Sequence, residues 1–445
     1  MRPDRGSVRS CAAWAIDRTL DSRASVDRYL HEVAGAFDLV DRRLLYQLVL
    51  GTIRWLRRLD HVISKASSRS ISHIDSSLRT PLRLATYEML FLDRVPNYAS
   101  VNEAVEEATR RRQRRGGAFV NAVLRKISRR PHLNRWPVTE RDVVRRLGIE
   151  TSHSDFLVGR WVRQFGEEET RRLLEINNRP KPLHLLTFED RGNGPLAARD
   201  LLASKVATRS SRLSKLGLVV EDGDPFLAPI FQRGDLYVQD EVSQAAALIP
   251  PPHAGEQVLD LAAAPGGKTF SLMASEPSVV PVASDLQISR VLILKDNASR
   301  LGRRIPAVVA DGARPPYRGE FDRVVVDLPC SGTGTLRKHP ELKWRIDDPE
   351  LCRLSAQGLR IVKGAAQLPR SGGLLVIITC SLEEEESVGV VASLLEMDRG
   401  LEPVDLQHAC LGASSEFIVG HGFWRVLPAE DHDGATVHVL RRRAR

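Results

Sequence analysis

Apolar residues recur every three or four positions in RLLYQLVLGTIRWL, PLRLATYEMLFL, SVNEAVEEATRRR and AFVNAVLRKI, the period of helices that bury one face. Residues 8 to 130 therefore read as helix throughout, with Pro81 in a first helical turn and Ser100 as an N-cap with Glu103 at the capping-box position. A basic loop separates the last two of these helices. The polar stretch PHLNRWPVTE, with its two prolines, reads as a linker. A helical piece and short mixed elements follow, interrupted by prolines and glycines from about Asn177 to Arg233.

From Val238 onward the pattern changes. QVLDLA, VVPVASD, AVVAD, RVVVDLP and LLVIITC are near-continuous apolar runs separated by helical stretches, as strands of a sheet buried on both faces require. The alternation predicts a doubly wound parallel sheet that binds ligands at the carboxyl ends of its strands. The expected architecture is multidomain: an all-α domain over 1–135, a small α/β domain over 140–235 and a Rossmann-like α/β domain over 236–445.

A chain of 445 residues, 42% hydrophobic and 27% charged, has the balance of folded domains and excludes global disorder. No apolar run approaches the roughly 20 residues of a membrane helix, and MRPDRGSVRS leads into no signal-peptide core, so no membrane partner and a cytoplasmic location are expected. The five cysteines (Cys11, Cys330, Cys352, Cys380, Cys410) show no C-x-x-C spacing, so neither a disulfide framework nor a metal site is indicated. The net charge of +9 favours a polyanionic partner. Ten of the cations (Arg110, Arg111, Arg112, Arg114, Arg115, Arg125, Lys126, Arg129, Arg130 and Arg135) fall in one segment without an acid, a stretch suited to RNA phosphate.

The candidate chemistry lies at the strand ends. DLAAAPGGKT follows a buried strand and opens a helix, where backbone approaches a ligand closely. It resembles the end of a P-loop, but that pattern needs glycine where Ala262 stands. Asp285 ends the next strand, placed to accept ribose hydroxyls, and Asp311 ends the third, placed to accept from an adenine amino group. Together they imply an adenosine without a phosphate chain, as in S-adenosylmethionine. Cys330, three residues after Asp327, and Cys380 end the fourth and fifth strands, which this topology brings to one crevice. Asp327 is suited to hydrogen-bond a base edge, Lys268 to pair with an acid or reach the base, and Arg337, Lys338 and His339 to touch RNA backbone. The run Glu383 to Glu386 reads as the solvated first turn of a helix.

At DLAAAPGGKT, DLPCSGTGTLRKHPELKW and ITCSLEEEE the chain resembles the RNA (cytosine-5)-methyltransferase family over nearly its whole length, most closely the bacterial small-subunit rRNA branch. LVLGTIRWLRRLD, SVNEAVEEA and AFVNAVLRK resemble the NusB-like RNA-binding domain of that branch. The resemblance implies an S-adenosylmethionine-dependent enzyme acting on carbon 5 of a cytosine in 16S rRNA. It makes 1–135 a NusB-like RNA-binding domain, 140–235 an RNA-recognition domain and 236–445 the methyltransferase domain.

The cofactor loop it implies is Ala262, Ala263, Ala264, Pro265, Gly266, Gly267 and Lys268, with Asp285, Asp311 and Asp327 completing the pocket. The nucleophile falls on Cys380, with Cys330 assisting product release. A monomer bound to RNA, without metal, is expected. The chain departs from the family where Ala262 replaces a cysteine, where Ile377 replaces an aromatic, and where HDGATVHVL replaces a glycine followed by two aromatics. Three other readings stay open on sequence alone: a transfer-RNA enzyme, a DNA cytosine methyltransferase and a non-catalytic RNA binder.

Overall fold

Six helices carry the period seen at the start of the chain: α1 (Val8–Leu20), α2 (Val26–Ala34), α3 (Leu39–Arg54), α4 (Leu56–Ser67), α5 (Ser76–Phe91) and α6 (Asn97–Ser128). The computed structural model describes residues 4, 6–93, 95–130, 137–188, 194–318, 320–409, 418–419 and 422–444. The chain divides into two units, Met1–Arg179 with Leu336–Asp347, and Pro180–Thr335 with Asp348–Arg445. The first unit adds α7 (Val143–Glu150) and α8 (Asp155–Ile176). Side chains of Ser7, Ser25, Asp38, Asp75, Asp142 and Ser154 accept amide hydrogens at the helix starts, meeting donors that otherwise lack partners. Apolar faces meet in two clusters, one around Leu30, Leu45 and Ile53 and another around Leu82, Val101 and Leu124.

Two helix starts differ from expectation. Asp75 caps α5, so Pro81 stands inside the helix rather than in its first turn. Helix α6 begins at Asn97, which leaves Ser100 buried within it instead of capping it. Near the basic segment the helical path folds back: a Cβ on Gly117 would collide with Thr109 Oγ1 and reach 3.4 Å from Val105 O. A straight helix separates residues twelve apart by about 18 Å. Arg111 is held by Glu107 at 2.6 Å and Asp17 at 2.7 Å, and Arg110 by Glu107 at 3.0 Å. The segment is therefore less positive than its sequence, although Arg115, Arg125, Lys126, Arg129 and Arg130 are exposed. Arg135 and the side chains of Arg112 and Arg114 lie outside the described residues, as do Cys410 and residues 131–136 of PHLNRWPVTE.

Residues Leu336–Asp347 complete the first unit. Trp344 Nε1 donates to Ile53 O at 3.0 Å, Arg345 Nη2 to Thr19 O at 2.8 Å, and Lys343 Nζ to Asn178 Oδ1 at 2.7 Å. Arg337 is buried and its carbonyl accepts from Arg54 Nη2 at 2.8 Å. Of the three residues expected to touch RNA here, Lys338 is exposed, Arg337 buried and His339 half-buried.

The second unit opens with an antiparallel sheet of β1 (Leu183–Thr187), β2 (Ala207–Ser210), β3 (Gly217–Asp222) and β4 (Leu236–Val238) in the order β2-β3-β1-β4. Helices α9 (Gly194–Ala203) and α10 (Pro229–Gln232) accompany it. The expected parallel sheet follows. β5 (Gln257–Asp260), β6 (Val280–Asp285), β7 (Ala307–Val309), β8 (Phe321–Asp327) and β9 (Pro369–Thr379) lie in the order β9-β8-β5-β6-β7, all parallel. Its helices are α11 (Glu241–Ala247), α12 (Gly267–Ser275), α13 (Ile288–Arg300), α14 (Asp348–Ala365) and α15 (Val388–Met397).

The sheet is mixed rather than wholly parallel. β10 (Leu401–Pro403), β11 (Ile418–Val419), β12 (Phe423–Val426) and β13 (Ala435–Arg442) extend it antiparallel, β13 pairing with β9 from Thr436↔Thr379 to Arg441↔Leu374. ATVHVL is thus a buried strand. Arg323 on β8 is fully buried and donates Nε to Glu256 Oε1 at 2.8 Å and Nη1 to Pro250 O at 2.7 Å.

A candidate active site at the strand ends

β5 lies between β6 and β8, so the chain leaves it at the point where crossovers diverge and open a crevice. Asp260, the last residue of β5, is fully buried. Its Oδ2 accepts from Thr269 Oγ1 at 2.7 Å, whereas Oδ1 is buried with no hydrogen bond of standard geometry from the described residues. Burial raises this carboxyl to about 7, with the Asp327 charge adding to it and Thr269 and Lys268 opposing. The turn after it is pinned from α13: Arg290 Nη2 donates to Ala264 O at 2.5 Å and Asn297 Nδ2 to Pro265 O at 3.0 Å. Gly266 has φ of 114°, and a Cβ there would strike the Phe270 ring. Only glycine satisfies both demands.

Asp285 ends β6 and is buried; Gln287 N donates to Oδ1 at 3.3 Å, and Oδ2 pairs with the half-exposed Arg290 at 3.2 Å. Asp311 is exposed just beyond β7 and caps its own turn through Ala313 N at 2.9 Å. The two acids end neighbouring strands, linked where Ala310 N donates to Asp285 O at 3.0 Å. Lys268, in the first turn of α12, donates to Ser243 Oγ at 2.7 Å and Asp327 Oδ2 at 3.1 Å. Burial alone would lower its ammonium, but the Asp327 carboxylate, with Cys380 and Asp260 adding to it, outweighs burial and raises it.

Asp327 pairs in register with Ile378 across β8 and β9, and Leu328 N donates to Ile378 O at 2.8 Å. The two cysteines consequently leave the sheet side by side, with Cys330 Sγ 3.3 Å from Cys380 Sγ. No α-helix starts directly behind either of them; short 3₁₀ turns, Thr333–Thr335 and Glu384–Glu386, take that place. The thiols therefore tune each other. Cys330 is held below an ordinary thiol, chiefly by its hydrogen bond with Cys380, with Thr379 and Gly332 N–H helping against burial and Glu386. Cys380 is pushed well up by the same hydrogen bond, by burial, and by negative charge on Cys330 and Asp327 that faces it; Lys268 opposes this.

Gly334 in the SGTG turn serves close packing, since a Cβ there would lie 2.7 Å from both Cys380 O and Gly434 O. The acidic run departs from expectation as well. Glu384 and Glu385 are exposed, but Glu383 and Glu386 are buried, because the backbone turns twice here instead of starting a helix. Asp260, Ser243, Ser331, Ser381 and Glu386 are site residues that sequence reasoning passed over. The repeated Cys-Ser pair after adjacent strands was the signal available for two of them.

The turn fits S-adenosylmethionine: its glycine leaves no side chain over the backbone, and Asp260 Oδ1 is a buried acceptor at its base with no hydrogen bond of standard geometry from the described residues. The profile of the 16S rRNA methyltransferase RsmB/F family matches residues 247–439, and that of the NusB family residues 7–129. The probable ribosomal RNA small subunit methyltransferase B of Bacillus subtilis (strain 168) is 32% identical over 412 residues, spanning 89% of this chain and 90% of that protein.

The chain belongs to the RsmB/F family. Its RsmB/F relative in Proteus mirabilis (strain HI4320), ribosomal RNA small subunit methyltransferase B, is 28% identical and covers 95% of this chain and 98% of that one. The crystal structure of PH0851 shares the fold, with a TM-score of 0.80 at 23% identity over 99% of this chain and 100% of that one. RsmB/F membership makes the chain an RNA methyltransferase with an N-terminal NusB domain and S-adenosylmethionine as its cofactor. No described helix is long and apolar enough to cross a membrane, and no cluster of metal-binding side chains occurs among the described residues.

Proposed function

We propose that this protein methylates carbon 5 of one cytosine in 16S rRNA, with Cys380 as covalent nucleophile and Cys330 as its acid-base partner. The observation that carries the reading is the 3.3 Å between the two sulfurs beside the Asp327–Lys268 pair. Carbon 5 of cytosine is a weak nucleophile, and a thiolate added at carbon 6 makes it electron-rich. Of the two thiols, Cys330 is the one whose charged form is favoured. Cys380 passes its proton to Cys330, its sulfur bonds carbon 6, and the displaced ring electron pair reaches carbon 5. Asp327 accepts from the cytosine's polar edge, and Lys268 holds Asp327 in place.

The cofactor supplies an electrophilic methyl sulfonium; Ala262 to Lys268, Asp285 and Asp311 would hold it. After transfer, the carbon 5 proton leaves to water, the S–C6 bond breaks, and Cys330 returns its proton to Cys380 as the product departs. The exposed cations from Arg115 to Arg130 suit rRNA phosphate, and a substrate of this kind points to a cytoplasmic protein acting as a monomer. Bisulfite sequencing of RNA from a deletion strain is expected to lose one small-subunit site. Cys380→Ala is expected to give no 5-methylcytosine on naked small-subunit rRNA, and full activity would sink the assignment.

The lowered thiol of Cys330 favours a second reading in which Cys330 attacks. Denaturing gels separate the two: accumulation of protein–RNA adduct in Cys330→Ala supports Cys380, and accumulation in Cys380→Ala supports Cys330.

A further inference from the structure

Each cysteine is followed by a serine, and both serines converge on one carboxylate, Glu386, five residues beyond Ser381 and 55 beyond Ser331. Ser331 N donates to Glu386 Oε1 at 2.9 Å, and Ser331 Oγ donates to Oε2 at 2.5 Å. Ser381 Oγ lies 3.2 Å from Ser331 Oγ and also faces Glu386. Around them, Leu382 N donates to Thr333 Oγ1 at 2.8 Å, Glu383 N to Ser381 Oγ at 3.0 Å, and Gly334 N to Cys380 O at 2.8 Å. Glu386 is 2% exposed, and burial raises its carboxyl against the hydroxyls and amide that favour its charge.

A buried carboxylate is costly unless its acceptors are filled. Here the turn that carries Cys330 fills both oxygens. A mobile cysteine turn would leave that carboxylate unmet, so its burial and the fixed turn require each other.

We propose that Glu386 is a positioning residue for the two-thiol chemistry, gathering the Ser331 and Ser381 turns so that the two sulfurs stay within proton-transfer distance. Its hydrogen bonds go to Ser331 rather than to either sulfur, so it acts through Ser331. The inference rests on the two-cysteine reading above. Lys268 and Asp327 face the sulfurs as well, and Glu383 faces Glu386. His438, which meets Ser387 at 3.0 Å, is lowered to about 4 by burial and then by Arg425, and is neutral at working pH.

The test is the coupling between the thiols, read as the pH midpoint of Cys330 alkylation by iodoacetamide in the full-length protein. Cys380→Ala raises that midpoint by removing the hydrogen bond between the sulfurs. In a Glu386→Gln background the rise is expected to shrink, because the sulfurs are no longer held together. The charge lost with Glu386 is common to both arms and cancels. Methyl transfer by Glu386→Gln should show kcat about 100-fold lower, the scale of a misplacement near 1 Å, with KM for S-adenosylmethionine unchanged.

Ser331→Ala removes the hydroxyl while leaving the backbone donor. It should reproduce part of the loss of coupling, and it keeps the test open should Glu386→Gln fail to fold. An undiminished midpoint rise in these backgrounds overturns the proposal. If Cys380→Ala is inactive while the coupling survives Glu386→Gln, this proposal alone fails; if Cys380→Ala is fully active, the two-cysteine reading fails first.

Discussion

Cys330 Sγ and Cys380 Sγ, fifty residues apart in the chain, lie 3.3 Å apart at the ends of neighbouring strands. At that distance they titrate as a pair: the first thiolate is stabilised by the thiol that remains, and the second forms against it. Cys380→Ala should therefore move Cys330 alkylation to higher pH, while Cys330→Ala should bring Cys380 down toward an ordinary thiol. Mass spectrometry of individual peptides reads each site apart from the exposed Cys352. Independent midpoints, unchanged by either substitution, would contradict the geometry.

Asp260 predicts an unusual pH dependence of stability. Its folded carboxyl titrates at about 7 against 3.8 for the free group, so the folded state holds a proton that the unfolded state has released. Stability should fall as pH rises between those values, by roughly 4 kcal/mol at most, and level off above about 7. Asp260→Asn keeps an acceptor for Thr269 and removes this slope. Urea unfolding from pH 5 to 8 checks it; parallel curves for the two proteins would refute it.

Lys343 carries the opposite dependence. It is buried against Asn178 Oδ1 and two carbonyls, Arg54 O and Ser152 O, and burial lowers its ammonium well below 10.5, with Arg54 adding to this. The unfolded chain binds the proton more tightly, so stability should rise with pH up to about 10.5. Lys343→Met is expected to lack that rise in chemical denaturation, and its persistence would assign the effect elsewhere.

The Arg323–Glu256 pair holds β8 to the entrance of β5. Removing one partner strands a buried charge, which typically costs about 3–5 kcal/mol. Glu256→Ala is therefore expected to lower the melting temperature steeply, and replacing Arg323 with Met as well should recover part of the loss. Equal melting curves for Glu256→Ala and the native chain would show the charge is solvated.

The parallel sheet was legible in the sequence because its strands are buried on both faces and so read as unbroken apolar runs, as in RVVVD and LLVIIT. The site was legible for a related reason: glycine at Gly266 and cysteines after adjacent strands answer needs that few other residues meet. Glu386, Arg337 and Lys343 were illegible because a charged residue declares its burial only through partners far away in the chain. Helix starts shifted where a distant core decided them, as at Pro81 and Ser100. β13 escaped notice because HDGATVHVL mixes polar and apolar positions that only the register with β9 sorts into place.

Trp344, Lys343 and Arg345 seal a helical unit whose other residues end at Arg179. During synthesis, its helices emerge from the ribosome long before the segment that closes them. Until then the Ile53 and Thr19 carbonyls lack the donors that Trp344 and Arg345 bring. A truncated N-terminal fragment would inherit that gap permanently, so the helical unit reaches its finished state only after much of the second unit has been made.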